Sequence, residues 1–436
     1  MTNRYRLRRL VAPTAGFRKA VLVTLGGLFV FLVGLALSFS LIILPTLEFL
    51  SRATKKVLGF LVPPENLDTA THFMGGACLL LGIYLLFIGI RSALRHLIET
   101  INPGFKASGM VDVYVRRQQL AQGPRIVALG GGTGLSTLLR GLKQHSSNIT
   151  AIVTVTDDGG SSGRLIQDKG MIPPGDIRNC LVALADAEKS MTDLFQHRFK
   201  DSGSLSGHSM GNLLIAALVD LCKGDFEKAI AAASDVLLIR GRVVPSTLEH
   251  VRLRAILDNG MEICGETNIV QAGSRIRKIL LDPASVEPYK AALEAIREAD
   301  LICIGPGSVY TSVIPNLLVP GIAQAIRESG AAKAYICNVM TQPGESEGFT
   351  ACEHVVALQT NIQVRVCDFV LVNTGVPSPA LIEKYREVGQ HLVEPDVDRI
   401  RAMGFRVITG DFMSESDFVR HDPMRIATRL LSLVGR

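Results

Sequence analysis

The sequence predicts an α/β domain built on a mainly parallel sheet, with helices on both faces and a small β insertion, preceded by two transmembrane helices. Three observations carry this expectation. From about residue 124 onward, short β-rich runs alternate with helical stretches, the pattern of βαβ units. Glycine-rich loops stand directly after several of the strands. Before residue 91, two long stretches carry no charged side chain at all.

The charge-free stretches run from Ala20 to Leu47 and from Thr69 to Ile90, each long enough to cross a hydrocarbon core that needs about 20 apolar residues. A signal peptide fits poorly, because its apolar region spans only about 7 to 15 residues and here a second stretch follows. Arg4, Arg6, Arg8, Arg9, Arg18 and Lys19 precede the first stretch, and Arg91 and Arg95 follow the second. The positive-inside rule then sets both chain ends in the cytoplasm of a multi-pass cell-membrane protein. The expected segments are a basic cytosolic N-terminus (1–19), spans at 20–47 and 69–90, a short external segment (48–68), a linker (91–123) and a nucleotide-binding domain (124–436). Neither span holds Asp, Glu, Lys or Arg, the groups that mark ion pathways in membranes, so the pair reads as an anchor.

The formal charge of +6 is accounted for by the six cations before residue 20, so the remaining chain is neutral. A general nucleic-acid binder, with cations spread over a folded face, is not expected. The eight cysteines include no CxxC pair and lie mostly in apolar runs, which argues against a disulfide framework and a zinc ribbon. No haem or flavin is implied either.

In the domain, Arg125 to Leu129 reads as a buried strand, Leu135 to Lys143 as a helix and Ile149 to Thr156 as the next strand. Helices are expected over Asp176 to Ala187, Met210 to Leu221 and Phe226 to Leu238. Asp258-Asn259-Gly260 predicts a hairpin between Val251 to Leu257 and Met261 to Cys264. Further strands are expected at Leu301 to Ile304, Ala334 to Val339 and Phe369 to Val372.

Ligands of such sheets bind beyond the carboxyl ends of the strands, and the unusual residues fall there. Gly130-Gly131-Gly132-Thr133-Gly134 follows the first strand and opens a helix, whose free N–H groups suit a phosphate. It lacks the Gly-Lys-Ser/Thr of a Walker A loop, and Leu135 stands where a dinucleotide fingerprint has its third glycine; a plain tight turn would read the same. After the second strand comes a second loop, Asp157-Asp158-Gly159-Gly160-Ser161-Ser162-Gly163-Arg164. Its carboxylates suit ribose hydroxyls or Mg2+, with Asp157 the first metal candidate, and its amides, hydroxyls and Arg164 suit an anion. Both aspartates are also the candidates for any catalytic role. Asp176 and Asn179 stand at a helix start, Gly305, Gly307 and Ser308 in the loop after another strand, and Asn338 at a further strand end. Capping and turn formation explain each of these equally well when taken singly. Gly207-His208-Ser209-Met210-Gly211 matches the nucleophile-elbow pattern of esterases but is preceded by loop rather than strand, so His208 and Asn212 are read as ligand or capping groups.

These six ordered motifs together resemble the YvcK family of gluconeogenesis factors, relatives of 2-phospho-L-lactate transferase (CofD), over roughly Arg125 to the C-terminus. The resemblance implies a Rossmann-like core, binding of a UDP-sugar such as UDP-N-acetylglucosamine, and a role in gluconeogenic growth, cell shape and cell-wall synthesis. The cell-wall synthesis machinery and a second copy of the chain are the protein partners it suggests. It further implies ligand roles for Tyr385 and Arg420, an aromatic ring and a guanidinium suited to a base and a diphosphate. The alternative within the same resemblance is a Mg2+-dependent transferase using a nucleotide diphosphate donor. A nicotinamide oxidoreductase is disfavoured by the missing third glycine. The transmembrane helices depart from the usual soluble member of the family.

Overall fold

The structure, a computed structural model, describes residues 15–39, 45–101, 110–186, 189–200, 203–415 and 419–435. The chain divides into two compact units, Met1–Val115 and Arg116–Arg436.

The first unit is helical. Helices Ala15–Phe39 and Leu67–Ile101 pack against each other, with glycines allowing close backbone approach: a Cβ on Gly82 would lie 2.4 Å from the Phe31 nitrogen. Between them stand a separate helix, Pro45–Leu58, and a short turn of 3-10 helix at Pro64–Asn66. Over the expected span at 20–47, the helix Ala15–Phe39 covers residues 20–39, residues 40–44 lie outside the described residues, and Pro45, preset for a helix start, opens an amphipathic helix carrying Glu48, Arg52, Lys55 and Lys56. Among the described residues, the stretch Pro64–Ala93 is long and apolar enough to cross a membrane, with mean hydropathy 2.3, whereas Val21–Leu35 is apolar but shorter. The expected linker at 91–123 is largely helical too. The long helix continues to Ile101 and another runs over Met110–Ala121, because Arg91 to Thr100 and Val111 to Leu120 contain neither Gly nor Pro to stop a helix. The basic segment 1–14 and the Pro103-Gly104 pair lie outside the described residues.

The second unit holds a seven-stranded, all-parallel sheet. In chain order its strands are β1 (Ile126–Gly130), β2 (Ile149–Val153), β3 (Arg242–Pro245), β7 (Leu301–Ile304), β8 (Ala332–Ile336), β9 (Phe369–Asn373) and β10 (Arg406–Gly410). In space they run β10-β9-β8-β7-β1-β2-β3. The apolar runs that marked β1, β2 and β7 are buried along their whole length, as strands covered by helices on both faces must be. β4 (Arg252–Leu257), β5 (Glu262–Cys264) and β6 (Ile276–Asp282) form an antiparallel insertion whose hairpin turns at Asp258-Asn259-Gly260. β11 (Met413–Glu415) and β12 (Val419–His421) form a last antiparallel pair. The strand order reverses between β1 and β7, because the chain winds outward from β1 through β2 to β3 and from β7 to β10 on the other side. The chain thus leaves β1 and β7 in opposite directions along the sheet, the arrangement that leaves a crevice at the carboxyl ends of these strands.

Candidate functional site

That crevice is a cleft of about 700 Å³ at the carboxyl ends of the strands. Its floor is the first glycine loop. Gly131, Gly132, Thr133 and Gly134 all line it, while Gly130 lies behind as the buried last residue of β1, its carbonyl accepting from the Asn316 amide at 3.1 Å. Gly132 starts helix Gly132–Leu142 at φ +62°, a left-handed conformation that glycine adopts without penalty, and a Cβ there would meet no protein atom nearer than 4.0 Å. The side of Gly132 that a side chain would fill is therefore open. At Gly134 the opposite holds, since a Cβ would lie 2.5 Å from the Pro306 carbonyl oxygen. The first loop thus touches the loop after β7. Gly307 and Ser308 of that loop line the cleft, whereas Gly305 sits beneath it at the end of β7. Asn338, after β8, clamps Gly307 with its side-chain amide, accepting from the Gly307 nitrogen at 3.1 Å and donating to the Gly307 carbonyl at 3.0 Å.

One end of the cleft is acidic. Asp157, Asp176 and Glu266 line it. Burial, then the charge of Asp157, pushes the Asp176 carboxyl up to about 7, despite hydrogen bonds from the Gly132 backbone and Asn179. Burial, then the charges of Asp157 and Asp176, raises Glu266 to about 9. Gly131 has no room for a side chain because Asp176 presses on it, a Cβ lying 2.4 Å from its Oδ2. Glu266 begins the short helix Glu266–Gln271 in the β insertion, where no motif draws notice to it. Among the described residues no three His, Cys, Asp or Glu side chains are grouped to hold a metal ion by themselves. Asp157, whose Oδ1 accepts from the Gly159 nitrogen at 3.0 Å, stands beside Asp176 as one of two carboxylates that could share a cation with a ligand phosphate.

The other end is basic and aromatic. Lys384, Tyr385, Gln390, Arg420 and the buried His421 line it. Helix Pro379–Arg386 carries Lys384 and Tyr385, and the Tyr385 hydroxyl accepts from the Val419 nitrogen at 2.9 Å, which holds the ring against β12. Burial keeps His421 near 4, a neutral imidazole at physiological pH. The sequence motifs passed over Lys384, Gln390 and His421 along with Glu266.

Most of the second glycine loop is built into the protein instead. Asp158 caps the helix of the insertion, its Oδ1 accepting from the Thr267 nitrogen at 3.0 Å and hydroxyl at 2.9 Å. Ser161 and Ser162 are buried; Ser161 Oγ bonds His208 Nδ1 at 2.9 Å and accepts from Asn212 Nδ2 at 3.0 Å. Arg178, also buried, donates to Ser209, to Asn212 Oδ1 at 3.1 Å and to Asn179 Oδ1 at 2.7 Å. Ser209 caps helix Met210–Leu221 by accepting from the Asn212 nitrogen, which is a capping role and not that of an esterase nucleophile. Arg164 donates to the Ser206 carbonyl at 2.6 Å. Asp158, Gly159, Gly160, Ser161, Ser162, Arg164, Asn179, His208 and Asn212 are thus not among the residues lining the cleft, and of this loop Asp157 alone reaches it.

Comparison with known proteins agrees with this geometry. The family model described as 2-phospho-L-lactate transferase CofD matches residues 126–413. The gluconeogenesis factor of Bacillus subtilis (strain 168) is 46% identical over 316 residues, covering 72% of this chain and 99% of that protein. A relative from Nostoc sp. (strain PCC 7120) is 45% identical over 428 residues, 98% of this chain and 92% of its own, so the likeness there includes the helical first unit. The crystal structure of protein BH3568 from Bacillus halodurans superposes with a TM-score of 0.69 at 46% identity, covering 71% of this chain and all of that one. With its switch-point cleft, its glycine loops and these relatives, the chain belongs to the CofD family and, within it, to the YvcK-like gluconeogenesis factors.

Proposed function

We propose that this gluconeogenesis factor binds a UDP-sugar of the UDP-N-acetylglucosamine type in the cleft and, held at the membrane by its first unit, regulates carbon metabolism, cell shape and cell-wall synthesis. The observation that carries the binding is the run of donors along one cleft: the amides of Thr133 and Gly134 at a helix start whose Gly132 amide is held by Asp176, then Lys384 and Arg420, beside the fixed ring of Tyr385. A diphosphate with an attached base needs that combination. The regulatory role rests on the family. Anchoring is supported by the apolar stretch Pro64–Ala93, with Arg91 at its end and Arg95 behind it for a cytosolic domain. Native mass spectrometry of the detergent-purified chain, with calorimetry against UDP-N-acetylglucosamine, tests the binding. Gly132→Val, which fills the open side of the loop and strains a left-handed backbone, should abolish binding in a folded protein; undiminished affinity would remove the loop from the site. A reporter fused after Arg436 that works only outside the cytoplasmic membrane would end the topology.

The acidic end favours a second reading, phosphoryl-type transfer. Asp157, Asp176 and Glu266 crowd like charges that a divalent cation shared with ligand phosphate would neutralise. Such a cation would supply charge neutralisation to a departing phosphate. Phosphorus NMR with UDP-sugar and Mg2+ decides: release of a nucleoside monophosphate that Asp157→Asn abolishes makes the protein an enzyme, and its absence leaves a regulator.

A further inference from the structure

Helix Gly132–Leu142 does more than open the cleft with its first turn. Thr133 and Thr137 line the cleft, and residues at positions 0, 4 and 7 of a helix share one face, so Arg140 continues the same stripe. This helix packs against β12, whose Val419, Arg420 and His421 line the cleft from the other side. Arg140 is exposed and follows Thr137 by about one turn on that face, near the cleft-lining Arg420 though not itself among the residues that line the cleft.

Some exposed arginines of this domain are matched by carboxylates, as Arg125 with Asp300 at 3.1 Å, Arg275 with Glu353 at 3.2 Å and Arg425 with Asp411. Among the described residues Arg140 has no hydrogen-bond or ion-pair partner, and the charges that bear on it are cationic. Partial burial and the charge of Arg420 both hold its pKa below the ordinary arginine value, and it in turn depresses Lys143, which burial has already lowered. Two guanidiniums within electrostatic reach of each other can both contribute to holding an anion placed between them.

We infer that Arg140 is a further diphosphate-binding residue, which with Lys384 and Arg420 forms an anion clamp at the outer end of the cleft, opposite the amides of the first glycine loop. The inference rests on the reading of the cleft as a nucleotide-diphosphate site and adds where the phosphates lie. They would sit between the helix start and the clamp, leaving the acidic end for hydroxyl-bearing parts of the ligand.

The test is calorimetry on the full chain in mild detergent with three probes: UDP-N-acetylglucosamine, inorganic pyrophosphate and uridine. Arg140→Ala removes a charge-assisted hydrogen bond to phosphate and should weaken both phosphate-bearing probes by about tenfold or more. Arg140→Lys, which keeps the charge but not the fork, should recover part of the loss, and the gap should narrow at high salt. Uridine binding should not change, whereas a merely structural role would lower all three. Arg140→Gln serves if the alanine variant melts early. Variants binding pyrophosphate and UDP-N-acetylglucosamine within twofold of the parent would overturn the inference and leave the binding function standing. A parent chain that binds pyrophosphate through Arg140 but ignores the UDP-sugar would overturn the function and leave the clamp. A parent that binds neither overturns both.

Discussion

The two glycine-rich loops that follow β1 and β2 carry much the same signature in the sequence, yet they differ in what faces outward. In the first, the backbone of Gly131 to Gly134 is the surface of the cleft, and a side chain is excluded where neighbours press in, by Asp176 at Gly131 and by Pro306 at Gly134. In the second, the glycines let the chain fold back on itself. A Cβ on Gly163 would lie 2.1 Å from the Asp158 carbonyl oxygen, and the hydroxyls of Ser161 and Ser162 are buried. The first loop lends its backbone to the cleft wall, whereas the second turns the Ser161 hydroxyl and the Asp158 carboxylate onto the protein's own groups. A glycine-rich run after a strand therefore identifies a tight turn, and what its polar groups face decides whether a ligand or the fold receives them.

The largest effect expected from this contrast is at Gly134. In Gly134→Ala the new Cβ meets backbone, the Pro306 carbonyl carbon at 2.8 Å as well as its oxygen, and neither loop can yield by turning a side chain. The first loop and the loop after β7 must separate, and UDP-N-acetylglucosamine affinity should fall by at least about a hundredfold, a loss of roughly 3 kcal/mol, while the circular dichroism of the sheet is kept. Gly163→Ala should do the reverse and lower the melting temperature first. Equal affinity losses at matched stability would mean that the two loops serve the ligand alike.

The next effect is a pH dependence confined to the first loop's side. Asp176 is raised in the fold to about 7 from 3.8, so between those values the folded chain holds a proton that the unfolded chain has lost. Stability from this group is then fully present below about pH 4, falls as pH rises toward 7, and is level above that. Asp176→Asn removes the charge while an amide oxygen can still accept from Gly132. Its melting temperature should exceed the parent's at pH 8, with a stability gain on the order of a few kcal/mol at most, and should approach it at pH 5. The slope that persists toward pH 9 belongs to Glu266. A variant whose melting curve runs parallel to the parent's from pH 5 to 8 would show that Asp176 is ionised throughout.

How far the sequence could be read follows the same division. β1, β2 and β7 were legible because fully buried parallel strands are unbroken apolar runs stopped by glycine, and Leu301–Ile304 matches to the residue. β3, only Arg242–Pro245 and ending in proline, and the short β11 and β12 carry too few residues to show a period. The strands' ends placed Gly131 to Gly134, Asp157, Asp176, Gly307, Ser308 and Asn338 on one cleft, and family resemblance brought Tyr385 and Arg420. Spacing could not reveal that Ser161, His208 and Asn212 turn inward, since hydroxyl, imidazole and amide groups suit a ligand and a buried network equally. Nor could it find Glu266, which reaches the cleft only because the β insertion folds back over it, or Arg140, whose neighbour Arg420 comes from a strand 280 residues away in sequence. In the first unit, composition marked the apolar stretches but not the separate amphipathic helix Pro45–Leu58, because Ser40 to Leu47 is as uncharged as what precedes it.

The smallest effect belongs to the inward loop. In Ser161→Ala the acceptor for Asn212 Nδ2 and the partner of His208 Nδ1 disappear together, in a setting where both side chains are buried and water does not replace the hydroxyl without a cavity to enter. Leaving such groups unsatisfied costs about 1 to 3 kcal/mol, which chemical denaturation of the variant should register as a lower midpoint with an unchanged slope. His208, held below its ordinary pKa chiefly by burial and then by Arg164, gains nothing by protonating to compensate. The affinity for UDP-N-acetylglucosamine should stay within about twofold of the parent's, less than about 0.5 kcal/mol, because no atom of Ser161 borders the cleft. An affinity loss larger than the stability loss would mean that the second loop opens toward the ligand when it binds, and the difference drawn between the two loops would then hold for the unliganded protein alone.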